Sequence, residues 1–275
     1  HVASGEEPVR REGRLVVTGE TGLVLVLIPA GEFLMGAQHL DPAGPQYDPR
    51  ADLADPSKGP NEKAVEYDKS TGLPVEVPLD AYFLSKYEMT QGQWFRIRGT
   101  QPSFDDTNED GTFDEQPYLP ARPVNSVTWT ECDAATDRFG LGLPHEEQWE
   151  YAARAGSTTI FSTKSDDPAS LAGYANIRSG RSVPRSVDVD SLLPNDWGLH
   201  GIHGNVIEWC SNVPYEYGDP DKAAPLGRKQ RSARGGCIAA DATQSRCSRR
   251  LTGPEERPMF VLGLRPARAI ERRDG

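Results

Sequence analysis

No apolar run in this 275-residue chain approaches the roughly 20 positions that a membrane-crossing helix needs, so no transmembrane span is expected. Cysteine is scarce. Cys132, Cys210, Cys237 and Cys247 are the whole set, and none stands in a CxxC pair, which argues against a zinc ribbon. That scarcity also tilts the expected compartment toward the cytoplasm. Positive charge is in deficit: the formal net charge of -11 counts against nucleic acid as a partner. The negative surplus suits solubility, cationic partners or bound divalent cations. No GxSxG elbow is present and no nucleophile has an evident histidine partner, so hydrolase chemistry lacks a signature. No charged-then-apolar leader follows His1, and the missing initiator Met points to a domain cut from a longer chain.

What the chain has in quantity is glycine and proline, 27 and 23 residues, and this predicts much irregular structure. Residues 1–22 read as a polar, loosely docked lead-in, residues 23–268 as one domain and 269–275 as a tail. Leu23–Ile28 is β-prone and apolar, and Pro29-Ala-Gly31 turns it into Glu32–Gly36, which reads as a hairpin. Residues 41–70 read as a long surface loop. Residues 75–87 return as strand, with Pro78 suited to an edge. Thr90-Gln-Gly-Gln93 and Thr128-Trp-Thr-Glu131 are capping boxes that start two helices. Met89 and Trp94 staple the first, and Trp129, Cys132, Thr136 and Phe139 mark one face of the second. A third helix starts near His145, turns Trp149, Ala152 and Ala153 inward and ends at Gly156. Strands and helices do not alternate, so no doubly wound sheet is expected.

Seven motifs stand in order: Ile28-Pro-Ala-Gly-Glu-Phe-Leu-Met-Gly36, Tyr87-Glu-Met-Thr-Gln-Gly-Gln-Trp94, Arg122-Pro-Val-Asn-Ser-Val-Thr-Trp129, Leu143–Gly156, His203-Gly-Asn-Val-Ile-Glu-Trp209, Arg234-Gly-Gly236 and Leu262-Gly-Leu-Arg265. Together they resemble the formylglycine-generating enzyme (sulfatase-modifying factor) domain family, over nearly the whole chain. The resemblance implies an α+β, C-type-lectin-like fold rich in irregular structure. The lead-in, from Gly5 to Gly22, looks like the start of such domains where they follow a protein kinase module in longer bacterial chains.

The same resemblance defines a chemistry and shows where it is missing. Family enzymes oxidise a substrate cysteine with copper, using two cysteines shortly after the Gly-Gly, because Cu(I) needs soft thiolates. Here those places hold Ala240 and Ser245. A relocated copper pair of Cys237 and Cys247 is the alternative, and copper is disfavoured. Another branch of the fold binds iron through histidines. Of His1, His39, His145, His200 and His203, only His200 and His203 stand close together, with no third ligand assured. Calcium is the favoured metal. The resemblance places one site at Asn176 and Ile177, with Arg181 where an acid is expected, and another at Gly204, Val206 and Glu208, with Gly201 replacing a ligand. Independently, Asp106, Asn108 and Asp110 copy the first half of an EF-hand loop, although Pro117 stands where its closing glutamate belongs.

Trp129, Trp149 and Trp209 are expected in the core, with Arg154, Arg246 and Arg265 paired to carboxylates such as Glu150 or Glu208. The expected function is a non-catalytic recognition domain for a protein or peptide. In the retroelement variable proteins that use this fold, the contacts fall between the Gly-Gly and the closing strand. The corresponding positions here are Ile238, Ala239, Ala240, Asp241, Thr243, Gln244, Arg250, Thr252, Met259 and Phe260. The alternatives are a copper oxidoreductase and a carbohydrate module; the latter lacks the Glu-Pro-Asn or Gln-Pro-Asp tripeptide.

Overall fold

The computed structural model describes residues 2–51, 66–104, 118–178, 185–217, 219–223 and 229–270. The backbone begins with the hairpin β1 (Val9–Arg11) and β2 (Arg14–Val16), then β3 (Leu25–Ile28), β4 (Gly31–Met35), β5 (Val75–Leu79) and β6 (Tyr82–Ser85). Helices α1 (Gln91–Arg98), α2 (Trp129–Asp137) and α3 (Glu146–Arg154) follow. After them come β7 (Ala175–Asn176), β8 (His203–Gly204), β9 (Ile207–Trp209), β10 (Tyr215–Glu216) and β11 (Asp219–Ala223). The chain closes with β12 (Gln230–Arg234), β13 (Leu251–Pro254), β14 (Leu262–Gly263) and β15 (Ala267–Ala269). The class is α+β, and most of the chain is irregular.

Two small sheets position the rest. One has the order β13-β12-β9-β14, antiparallel except for the parallel β14–β9 pair. The other is β15-β6-β3, so the end of the described chain closes against its beginning. The hairpin expected from β3 to β4 does not form. β3 pairs with β6, while β4 pairs with β5, placing Pro78 opposite Glu32 in a two-stranded sheet. Proline at position 29 lacks the amide that a tight hairpin would use, and two later strands supply the ladders instead.

The helices form where their starts predict. Thr90 Oγ1 accepts from Gln93 N while Gln93 Oε1 accepts from Thr90 N, and Thr128 with Glu131 repeats the pattern. Gly99 ends α1 in the left-handed conformation. Met89, Trp94, Val124, Cys132, Trp209 and Leu264 make the larger core cluster; Ile28, Tyr82, Leu84, Trp149 and Ala152 belong to the second. Trp129 lies at the core margin, with the Arg231 guanidinium 3.6 Å above its ring and its indole N–H on Cys210 O.

Two expectations are corrected. The lead-in is pinned: Arg96 donates to the carbonyls of Ser4, Gly19 and Thr21, and Leu23 N donates to the buried Ser4 hydroxyl. The expected surface loop of residues 41–70 is only partly one: Asp41, Pro42, Ala43, Lys69 and Ser70 are exposed, but Gln46, Asp48, Ala51 and Glu66 are buried. Acidic side chains go inside here because arginines await them.

Replacing Thr90→Ala removes one half of the α1 capping box and should cost about 1 kcal/mol. Urea unfolding should show a lower midpoint with an unchanged slope.

Candidate functional site

β12 delivers Arg234 into the interior, and the chain then reverses through Gly235 (φ 103°) and Gly236 (φ 75°). Both glycines are required. A Cβ on Gly235 would press on the Trp149 ring, and one on Gly236 would collide with Ser245 Oγ. Ser245 therefore closes the loop directly onto the second glycine, buried. Between them, Ile238 N donates to Asn205 O and Ala240 O accepts from Arg178 N. Asp241 caps a single 3₁₀ turn, Ala242–Gln244, by accepting from Thr243 N and Oγ1.

The outer face of this loop meets a second segment. Cys237, Ile238 and Val261 form one buried cluster, against which Ile207, Ala239 and Ala240 pack half-buried. Immediately before Val261, Met259 and Phe260 are exposed by 41% and 36%. The fold thus joins Ala239 and Ala240, Asp241 at the rim, and the apolar pair 259–260. Thr243 and Gln244 are half-buried beside Asp241. Two of the expected contact positions are interior and cannot serve a surface. Ile238 is 1% exposed, and Arg250 bonds Glu146 through Nε and Nη2. Thr252 is half-buried on β13, opposite Ser232.

Beneath the loop lies a set of buried ion pairs. Arg234 contacts Glu146 at 3.1 Å, Glu150 at 3.0 Å and the Tyr217 hydroxyl at 2.9 Å. Arg154 pairs with Glu150, which also accepts Gly36 N. Arg246 reaches Asp48 at 2.5 Å and Glu66 at 2.7 Å, and Arg265 chelates Glu208. Burial opposes ionisation of Glu146, but the Arg250 and Arg234 guanidinium groups overcome it and hold the carboxyl below its usual range. Of these partners, Asp48, Glu66 and Glu146 have no sequence signal. Glu146 and Glu150 stand at i and i+4 on the core face of α3, a spacing that ordinarily marks a solvated helix side.

The thiols and imidazoles have settled surroundings. All four cysteines are free and buried. Burial raises the Cys237 thiol, and burial pushes the Cys247 thiol up to about 12, so both rest as neutral thiols in the folded chain. Cys237 sits in the Ile238–Val261 cluster, whereas Cys247 faces Arg154, Glu150 and Arg234. His203 uses both ring nitrogens: Nδ1–H donates to Ser245 O at 2.7 Å, and Nε2 accepts from Ser162. His200 Nδ1 bonds Leu192 O at 2.7 Å.

The calcium positions fit the ion poorly. Both oxygens of Glu208 are occupied, by Arg265 and by the Trp149 indole N–H at 2.6 Å. Asn176 O accepts Asn205 N, and its carboxamide bonds Arg185 O and Asn205 Oδ1. Gly204 lies close enough to Asn176 O that no side chain would fit, and Val206 is buried. Opposite Gly201 stands the Glu88 carboxylate, with Oε2 only 2.6 Å from where a Cβ would be. Burial and then Glu208 raise the Glu88 acid, favouring its neutral form. Among the described residues no three His, Cys, Asp or Glu side chains cluster as metal ligands. Asp106, Asn108, Asp110 and Arg181 lie outside the described residues.

Two outcomes follow from this geometry. Gly236→Ala forces a left-handed alanine against Ser245 and should destabilise by about 2 kcal/mol or more in chemical unfolding. Burial lowers His203 to about 4, because protonation would aim an Nε2–H at the Ser162 amide. The unfolded chain thus binds a proton between about pH 6.5 and 4 that the folded chain refuses, so stability falls as pH falls through that window, by about 3 kcal/mol at most. His203→Gln should flatten the slope of unfolding free energy between pH 6.5 and 4.5.

The Sulfatase-modifying factor enzyme 1-like domain family matches residues 18–270. The serine/threonine-protein kinase pkn1 of Chlamydia pneumoniae is 28% identical over 220 residues, 72% of this chain and 35% of that protein. The formylglycine-generating enzyme of Streptomyces coelicolor is 31% identical over 153 residues, 51% of this chain and 48% of that enzyme. The chain thus spans about a third and about half of these two relatives. Among solved structures, Treponema denticola variable protein 1 superposes with a TM-score of 0.64 at 22% identity, over 92% of this chain and 97% of that one. The fold is the C-type-lectin-like one of formylglycine-generating enzymes.

Proposed function

The chain belongs to the sulfatase-modifying factor enzyme 1-like domain family, and from that premise we propose a recognition domain that binds a protein or peptide without catalysis. The observation that carries this reading is the state of positions 240 and 245. Ala240 is half-buried with its carbonyl holding Arg178 N, and Ser245 is buried against Gly236. The place of the reactive pair is filled by closely packed scaffold. What the same loop leaves outside is Asp241, with Ala239 and Ala240 half-buried beside it and adjoining Met259 and Phe260 through Val261. An exposed apolar pair beside a polar rim is the composition of a contact patch, with large apolar side chains at its centre. Its partner is proteinaceous in this reading, because the patch presents exposed apolar side chains beside a polar rim. The resemblance to a kinase-linked chain supports a role as the sensing module of a larger effector.

The copper alternative rests on Cys237 and Cys247, and both thiols are held protonated by burial. Phage selection of random peptides on the immobilised domain, with Phe260→Asp and Met259→Asp as counter-screens, tests the proposal. Selected peptides should lose at least about tenfold in affinity to either variant, which removes an apolar anchor worth more than 1 kcal/mol. Peptides indifferent to both changes would place recognition elsewhere. Titration with Cu(I) in a competing chelator should show no tight site; 1:1 binding abolished by Cys237→Ser would restore the oxidoreductase reading.

A further inference from the structure

The β1–β2 hairpin, the chain at Lys86–Tyr87 and the segment 190–194 line an open cavity of about 460 Å³. That is within the range of small-molecule pockets. Two contacts hold the hairpin there. Val17 N donates to Asp190 Oδ2 at 3.0 Å, and Val17 packs in a buried cluster with Tyr87 and Val189. The pocket shares no lining residue with the 237–261 surface, so it is independent of the recognition reading.

Its charge runs against that of the protein. In a chain of net charge -11, three cations converge on this cavity: Arg10 and Arg14 from the hairpin and Lys86 from below. None of the three has a carboxylate partner among the described residues. Arg10 reaches Gly13 O at 3.4 Å, and Lys86 donates to Gly198 O at 2.5 Å. One acid lines the cavity, Asp190, and one of its oxygens is committed to Val17 N. Burial first, and then the nearness of Arg10, depress Lys86, as expected of cations crowded without a counter-charge. His200 is neutral at pH 7, held near 4 by burial. The cavity therefore has a surplus of two positive charges. Leu15, Leu192, Leu193 and Pro194 give the cavity an apolar stretch of wall, interrupted by Ser191.

We propose that this pocket binds a small phosphate monoester carrying an apolar or aromatic body. A phosphate monoester carries close to two negative charges at neutral pH, which matches the surplus. Two guanidinium forks and an ammonium supply directed donors to its oxygens. The leucine wall takes the organic body, so that free phosphate satisfies only half of the site.

Isothermal titration of the whole chain with phenyl phosphate, inorganic phosphate and phenol tests this. Phenyl phosphate should bind at low ionic strength, weaken as salt rises, and bind at least about tenfold tighter than either inorganic phosphate or phenol. The double variant Arg10→Glu/Arg14→Glu should lose at least about tenfold in affinity for phenyl phosphate. Both side chains are exposed, so that variant should keep the wild-type unfolding midpoint within a few degrees. Arg11→Glu, on the same hairpin but outside the pocket lining, should bind as wild type. The proposal is overturned by three results: no phenyl phosphate binding at millimolar concentration, equal weakening by Arg11→Glu and the double variant, or inorganic phosphate binding as tightly as phenyl phosphate.

Discussion

Buried arginine meeting buried carboxylate is the interaction on which this structure depends. Arg154, Arg234, Arg246, Arg250 and Arg265 are each at most 5% exposed, and each finds Asp48, Glu66, Glu146, Glu150 or Glu208 at bonding distance. With small sheets and three short helices among the described residues, little of their backbone is tied by regular ladders. The guanidinium groups do that tying, because each also reaches main-chain carbonyls: Arg154 to Gly36, Arg234 to Cys247, Arg265 to Ser85 and His200. Breaking one partner of such a pair costs roughly 3–5 kcal/mol, since the other stays buried and charged. Such pairs add little net stability over an apolar core. They fix which loops meet.

That constraint shapes the loop after Gly236. Arg234 and Arg246 hold its two ends from below, and Ser245 closes against the glycine pair. The outside of the loop has no such duty. Ala239, Ala240, Met259 and Phe260 hold no ion pair among the described residues and can vary without disturbing the ties beneath them. A rigid floor under an unconstrained rim suits a recognition surface, because ordering costs are met in folding rather than in binding. The cationic pocket under the β1–β2 hairpin follows the opposite logic, since its three cations have no carboxylate partner among the described residues.

Much of the fold could be read from local chemistry. The capping boxes at Thr90 and Thr128 formed as expected because every atom involved lies within four residues. The ordered motifs identified the scaffold for the same reason. The pairing of β3 with β6 rather than β4 was not readable, because strand partners are chosen over distances that no local pattern encodes. Nor was the inward turn of Glu146, because the i, i+4 spacing it shares with Glu150 is equally that of a solvated face.

The sequence by itself determined the family, the α+β class and the helix starts, because each depends on residue identity or on contacts between near neighbours. Only the tertiary structure decided that Ile238 and Arg250 face inward while Met259 and Phe260 face outward, that Glu208 belongs to Arg265, and that Arg10 and Arg14 close over Lys86. Those outcomes depend on which distant segments pack together. In this chain the choice is made by arginines pairing with carboxylates 4 to 198 residues away.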